Sequence, residues 1–157
     1  MSYLETTKDI YKKAALNPDV GLCCTTTPIW KLPGLNIPLI MQEMNYGCGS
    51  TVNPRDLVNN PNILYVGVGG GMELLQFSYF SRKISGVIGI DIVDEMLNAS
   101  KENLLLAEKE NSWFKSDFVN LKKGNALDLP VENNSIDVAA QNCLFNIFKI
   151  DDLKNAL

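Results

Sequence analysis

From Asn62 onward the chain alternates between short runs that are almost wholly apolar and longer stretches that are apolar only at helical spacing. Ile63-Leu64-Tyr65-Val66 has no polar face, as expected of a strand covered on both sides, and it runs into Gly67-Val68-Gly69-Gly70-Gly71. Met72 to Arg82 carries Leu74, Leu75, Phe77 and Tyr79 and predicts a helix. Val87-Ile88-Gly89-Ile90-Asp91 predicts a second strand, closed by a carboxylate, and Asp94 stands as the N-cap of a helix reaching about Glu110. Phe118–Leu121 and Ile136–Ala140 predict a third and a fourth strand, the third followed by Gly124-Asn125-Ala126. Asp151 is placed to cap one more helix. Strand, glycine turn, helix, strand, acid, helix, strand, strand is the opening of a doubly wound α/β sheet, so the expected fold class is α/β and Rossmann-like.

The first 61 residues read differently. Leu4, Ile10, Tyr11, Ala14 and Ala15 give Ser2–Leu16 one apolar helical face, which stops at Asn17-Pro18. Residues 18–61 then hold six of the seven prolines and three of the four cysteines, with Pro38–Met44 as the only helix-like stretch. A long irregular segment ahead of a regular domain is either a lid or binding element or plain wrapping. The expected division is a helical and irregular, cysteine-bearing cap over residues 1–61 and a nucleotide-binding domain over 62–157.

Composition narrows the chemistry. In 157 residues, 14 basic and 18 acidic side chains give a net charge of −4 and leave no basic stripe for a phosphate backbone, so nucleic acid is not an expected partner. No run approaches the ~18 consecutive apolar residues of a membrane helix, so no membrane partner is expected either. Met1-Ser2-Tyr3-Leu4-Glu5 lacks a secretory pattern, so a cytoplasmic location is expected. The chain has no histidine, which excludes Ser-His and Cys-His dyads and histidine-ligated metals. Cys23, Cys24, Cys48 and Cys143 read as thiols, and the adjacency of Cys23 and Cys24 does not suit a zinc site, so no metal is expected. Each cysteine is then either a small buried hydrophobe or a thiolate ligand.

Gly67, Gly69 and Gly71 sit between a buried strand and a helix, where bare backbone can approach a ligand. Asp91 closes the next strand 24 residues after Gly67, in position to accept both hydroxyls of a ribose. Either feature alone fits an ordinary turn or a solvated acid; together they point to a nucleoside. Met72 occupies the position where a dinucleotide fingerprint needs its last glycine.

The glycine turn, the Asp91/Glu95-Met96-Leu97 pattern, Gly124–Pro130 and Asn134–Val138 resemble the class I methyltransferases that use S-adenosylmethionine. The resemblance implies that Gly67, Gly69 and Gly71 line the methionine part, Asp91 holds the ribose, Ile92 and Met96 flank the nucleoside, and Asn125 and Ala126 meet the adenine edge. It also implies that this chain carries the first four strands of the family's sheet, incomplete at its C-terminus. Two positions depart from the pattern: Tyr65 stands where the family has an acid before the glycines, and Asn125 replaces an Asp.

Leu22-Cys23-Cys24-Thr25, Tyr46-Gly47-Cys48-Gly49-Ser50 and Gln141-Asn142-Cys143-Leu144 further resemble the arsenite methyltransferases, the arsenosugar-associated type in particular. That likeness implies methyl transfer to trivalent arsenic, with Cys48 and Cys143 catalytic, Cys23, Cys24 and Asn142 binding substrate, and a thiol reductant beside S-adenosylmethionine. The partners are then arsenite or methylated arsenicals. Two other functions remain open: methylation of another small molecule with incidental cysteines, and a non-catalytic thiol module for metalloids. Trp30, Trp113, Phe145 and Phe148 are assigned to the core.

Overall fold

The computed structural model describes residues 2–19, 21–22 and 31–156. Four strands, β1 (Ile63–Val66), β2 (Val87–Asp91), β3 (Val119–Lys123) and β4 (Val138–Gln141), form an all-parallel sheet in the order β3-β2-β1-β4. The helices are α1 (Tyr3–Leu16), α2 (Leu39–Glu43), α3 (Met72–Ser81), α4 (Asp94–Glu110) and α5 (Ile150–Ala156). The chain winds outward from β1 through β2 to β3, then returns to the other side of β1 as β4. That reversal opens a crevice at the carboxyl ends of the strands, the binding position of doubly wound sheets. Val66 pairs with both Ile90 and Gln141, so Gly67, Asp91 and Asn142 stand at one level along the sheet, Asp91 as the last residue of β2.

Local chemistry accounts for most of the boundaries. Ser2 and Glu5 form a capping box: Glu5 N donates to Ser2 Oγ (3.3 Å) and Ser2 N to Glu5 Oε2 (2.6 Å), so α1 starts at Tyr3. Asp94 does not cap α4. Val93 is the N-cap without a side-chain bond, and Asp94 is already helical, its carboxylate 2.5 Å from Lys123 Nζ. Asp94 and Glu95 instead place negative charge at the positive end of the helix. Likewise α5 starts at Ile150, so Asp151 falls inside its first turn.

The third strand runs to Lys123, beyond the expected Leu121, and starts one residue late. Phe118 belongs to a 3-10 turn (Ser116–Phe118), where its ring meets Phe114 edge-on at 6.0 Å. The fourth begins at Val138 rather than Ile136, because Asp137 is taken up in a clamp. Asn62 N donates to Asp137 Oδ2 (2.7 Å) and Asp137 N donates to Asn62 O (2.9 Å), which fixes the register of β4 against β1.

Helix α3 is buried nearly all round, every residue from Met72 to Ser78 being covered. The sheet lies on one side of it, and Met41, Met44, Val52 and Leu57 from the irregular segment join the same apolar cluster as Ile63, Leu75 and Phe77. Trp113 is half-buried at the edge of that cluster; its indole donates to Gly34 O (2.9 Å) and the Arg82 guanidinium lies 4.1 Å over its ring. Trp30 lies outside the described residues. Among the described residues no helix is long and apolar enough to cross a membrane.

Candidate functional site

One cleft runs across the carboxyl ends of the strands, with the glycine turn as its floor. Gly71 has φ +86°, and a Cβ there would stand 2.7 Å from Ser100 Oγ on α4. At Gly70 a Cβ would meet Met44 Cβ at 2.5 Å. The turn is therefore pinched between α4 and the segment after α2, and side chains would force it open. Gly67 and Gly69 face the cleft.

On the β2 side Asp91 holds the turn as well as facing the cleft. Its Oδ2 accepts from Val68 N (3.0 Å) and its Oδ1 from Val93 N (2.9 Å), and with the Ile92 backbone as a third donor the carboxylate still keeps acceptor capacity on its cleft side. Burial pushes its carboxyl above the ordinary value, against the lowering effect of the Val93, Val68 and Ile92 backbone donors. Ile92 lines the cleft while 43% exposed, an apolar surface that a nucleoside ring would cover, and Met96 is buried beneath. Asn125 and Ala126 border the same end. The Asn125 amide oxygen accepts from Leu127 N (3.0 Å), so it shapes its own turn and retains one acceptor site.

On the β4 side the cleft meets Met44–Gly47, Asn142 and Cys143. Cys48 is exposed and Cys143 half-buried, both as thiols. Cys143 has φ +53°, a left-handed backbone that costs a non-glycine residue roughly 1–2 kcal/mol. Such strain at the carboxyl end of a strand that borders the cleft is characteristic of functional turns. The Asn142 side chain joins the two cysteine-bearing segments: Cys48 N donates to its Oδ1 (3.0 Å) and its Nδ2 donates to Gly49 O (3.2 Å). Cys23 and Cys24 lie outside the described residues.

Several cleft residues were not anticipated. Glu73, 3% exposed on α3, accepts from Thr51 N and Thr51 Oγ1 (2.8 Å each), from the Tyr65 hydroxyl and from Asn142 Nδ2 (3.4 Å). Burial, reinforced by Glu73, pushes the Tyr65 phenol well above its ordinary value, so Tyr65 stays protonated and donates. The sequence signal was an acid set among the apolar residues of Met72-Glu73-Leu74-Leu75. Helix α1 forms a wall through Leu4, Lys8 and Tyr11, and is held to α4 by Lys12–Glu95 (2.8 Å). Phe148 borders the cleft, and both it and Phe145 are half-buried, so this pair is not the core element expected of it.

Residues 64–157 match the family described as "Methyltransferase domain". An arsenite methyltransferase of Halobacterium salinarum is 26% identical over 105 residues, covering 67% of this chain and 25% of that protein. The crystal structure of an arsenic(III) S-adenosylmethionine methyltransferase from Chlamydomonas reinhardtii superposes with a TM-score of 0.68 at 17% identity, over 83% of this chain and 44% of that one. The chain thus spans about a quarter of the curated relative and under half of the solved structure. With a matching domain over most of its length and the doubly wound sheet to go with it, the chain belongs to the class I S-adenosylmethionine-dependent methyltransferases and resembles the arsenite methyltransferases among them.

Proposed function

We propose that this chain binds S-adenosylmethionine and serves the methylation of trivalent arsenic held by cysteine thiolates. The cleft fits the cofactor on its own chemistry. Asp91 retains acceptor capacity for a ribose hydroxyl, Ile92 and Met96 offer apolar cover to a base, and Gly67 and Gly69 leave backbone open to the methionine part, while Gly71, buried against Ser100, shapes the turn from behind. Asn125 and Ala126 are the candidates for the adenine edge. Bound there, S-adenosylmethionine supplies a methyl group on a positively charged sulfur.

The chain's own part is to hold and aim the acceptor. Trivalent arsenic prefers sulfur over oxygen, so the thiols of Cys48 and Cys143 each form an As–S bond while a hydroxide leaves as water with the thiol proton. A third sulfur comes from Cys23, Cys24 or a small thiol reductant. The arsenic lone pair stays available, so no general base is needed, in keeping with a chain that lacks histidine. Catalysis then rests on positioning. Reduced thiols are the working form, which suits a reducing compartment. The observation that carries this reading is the Asn142 bridge, which draws the Cys48 turn to the segment bearing Cys143, across β1 from Asp91.

The test is methyl transfer to arsenite by Cys48→Ser and Cys143→Ser. Both should lose transfer while cofactor affinity stays within a few-fold. Wild-type transfer by Cys143→Ser would leave the methyltransferase but remove arsenic as its substrate.

A further inference from the structure

Glu73 uses all its acceptor capacity on the protein itself. A carboxylate has about four acceptor sites. Here Oε1 takes Thr51 N and Thr51 Oγ1, and Oε2 takes the Tyr65 hydroxyl and Asn142 Nδ2. These donors belong to three separate segments: the stretch just after the Cys48 turn, strand β1, and the loop after β4 that carries Cys143. Glu73 itself stands two residues after Gly71, at the start of the helix behind the glycine turn.

The next link is Asn142, and its orientation is forced. Its Nδ2 lies between two groups that only accept, Gly49 O (3.2 Å) and Glu73 Oε2 (3.4 Å). Its Oδ1 receives Cys48 N (3.0 Å), which only donates. Reversing the amide would set like against like on both sides. Room for it exists because residue 47 is glycine: a Cβ there would sit 2.4 Å from Asn142 Nδ2.

We propose that Glu73 is a positioning residue that sets the Cys48 turn against the Cys143 loop, acting through the orientation of Asn142. The relay is directional in a way that substitutions can read. In Glu73→Gln one amide face must turn an N–H toward a donor, either Thr51 N or Asn142 Nδ2. The backbone N–H of Thr51 has no alternative orientation, so Asn142 yields and Cys48 N loses its partner. Adding Asn142→Asp repairs that mismatch, since the new carboxylate accepts both from the amide N–H introduced at position 73 and from Cys48 N. Its one remaining mismatch is at Gly49 O, where an acceptor replaces the Nδ2 donor, against two mismatches in either single variant. In the wild-type background the same carboxylate faces Glu73 directly, like charge to like charge.

This inference rests on the thiol pair of the proposed function but not on arsenic, and its test uses neither arsenic nor cofactor. Dibromobimane bridges two neighbouring thiols: two C–S bonds form, two bromides leave with the thiol protons, and the bridged product fluoresces. In the full chain carrying Cys23→Ser and Cys24→Ser, only Cys48 and Cys143 remain to be bridged. Bridging should be slower by roughly 3- to 10-fold in Glu73→Gln, in Asn142→Asp and in Asn142→Ala, the effect of losing a hydrogen bond or two. The Glu73→Gln/Asn142→Asp double variant should bridge faster than either of its single variants. Ordinary structural damage would accumulate instead, leaving the double variant at least as slow as the worse single one. Asn142→Ala, on a half-buried loop residue, reads the same link without altering the helix core. Bridging at the parent rate in Glu73→Gln or Asn142→Ala, an additive double variant, or no bridging in the parent would each overturn the proposal. If the swap pattern appears while Cys143→Ser still methylates arsenite, the positioning role stands and the arsenic reading falls.

Discussion

The two ends of the cleft are built by different rules. The Asp91 end is made of strand termini and the residues directly after them: Asp91 holds Val68 N and Val93 N, and Gly124 to Ala126 follow β3. The thiol end is made of residues far apart in the chain, with Cys48 N bound to Asn142, and Glu73 bound to Thr51, Tyr65 and Asn142. One end is fixed by local backbone geometry, the other by side chains that meet only once the chain has folded. Damage should therefore stay at the end where it is made.

The largest separable effect is expected at Asp91. Asp91→Ala should weaken cofactor binding by roughly 10- to 100-fold, the loss of hydrogen bonds to a charged acceptor, with arsenite binding retained. Calorimetric titration of each ligand checks both halves, and a parallel loss of both would merge the two ends into one unit.

Acid should probe the same end. Because burial raises the Asp91 carboxyl, cofactor affinity should begin to fall, as pH is lowered, above the range in which an ordinary aspartate titrates. The fall should be absent in Asp91→Ala. The stability sign is opposite to that of a salt-bridged acid. The folded chain holds this proton more tightly than the unfolded one, so the Asp91 contribution to stability declines as pH rises from the ordinary value of 3.8 through the raised one. Chemical denaturation of the parent and Asp91→Ala across that window measures it.

How far each end was legible follows from the same contrast. Periodicity located β2 to the residue and put Asp91 at its end, because a both-faces-buried strand followed by an acid is a local pattern. It misassigned the cap of α4, because Asp94 prefers Lys123, a partner 29 residues away that no window around Asp94 contains. At the thiol end the short motifs around Cys48 and Cys143 were visible only as a likeness. Nothing local connects Glu73 to Thr51 or Asn142, at separations of 22 and 69 residues. The departure at Tyr65 was noticed in the sequence, but that its hydroxyl binds Glu73 required the fold.

Smaller effects sharpen the contrast. Ile92→Ser should lower cofactor affinity a few-fold, from about 1 kcal/mol of apolar cover lost, and leave stability nearly unchanged because that side chain is 43% exposed in the free chain. Cys143→Gly should remove the thiol yet raise stability by roughly 0.5–1 kcal/mol, the relief of a left-handed backbone less the added freedom of glycine when unfolded. Urea denaturation reads that gain, and a loss of stability would mean that the Cys143 side chain contributes packing that outweighs the strain.

The central claim is that Cys48 and Cys143 together hold trivalent arsenic. X-ray absorption at the arsenic edge, on arsenite-loaded protein without added thiol, counts the sulfur neighbours directly. The account predicts a sulfur shell in the parent, with one sulfur replaced by oxygen in Cys143→Ser and likewise in Cys48→Ser. An unchanged sulfur shell in Cys143→Ser would contradict it.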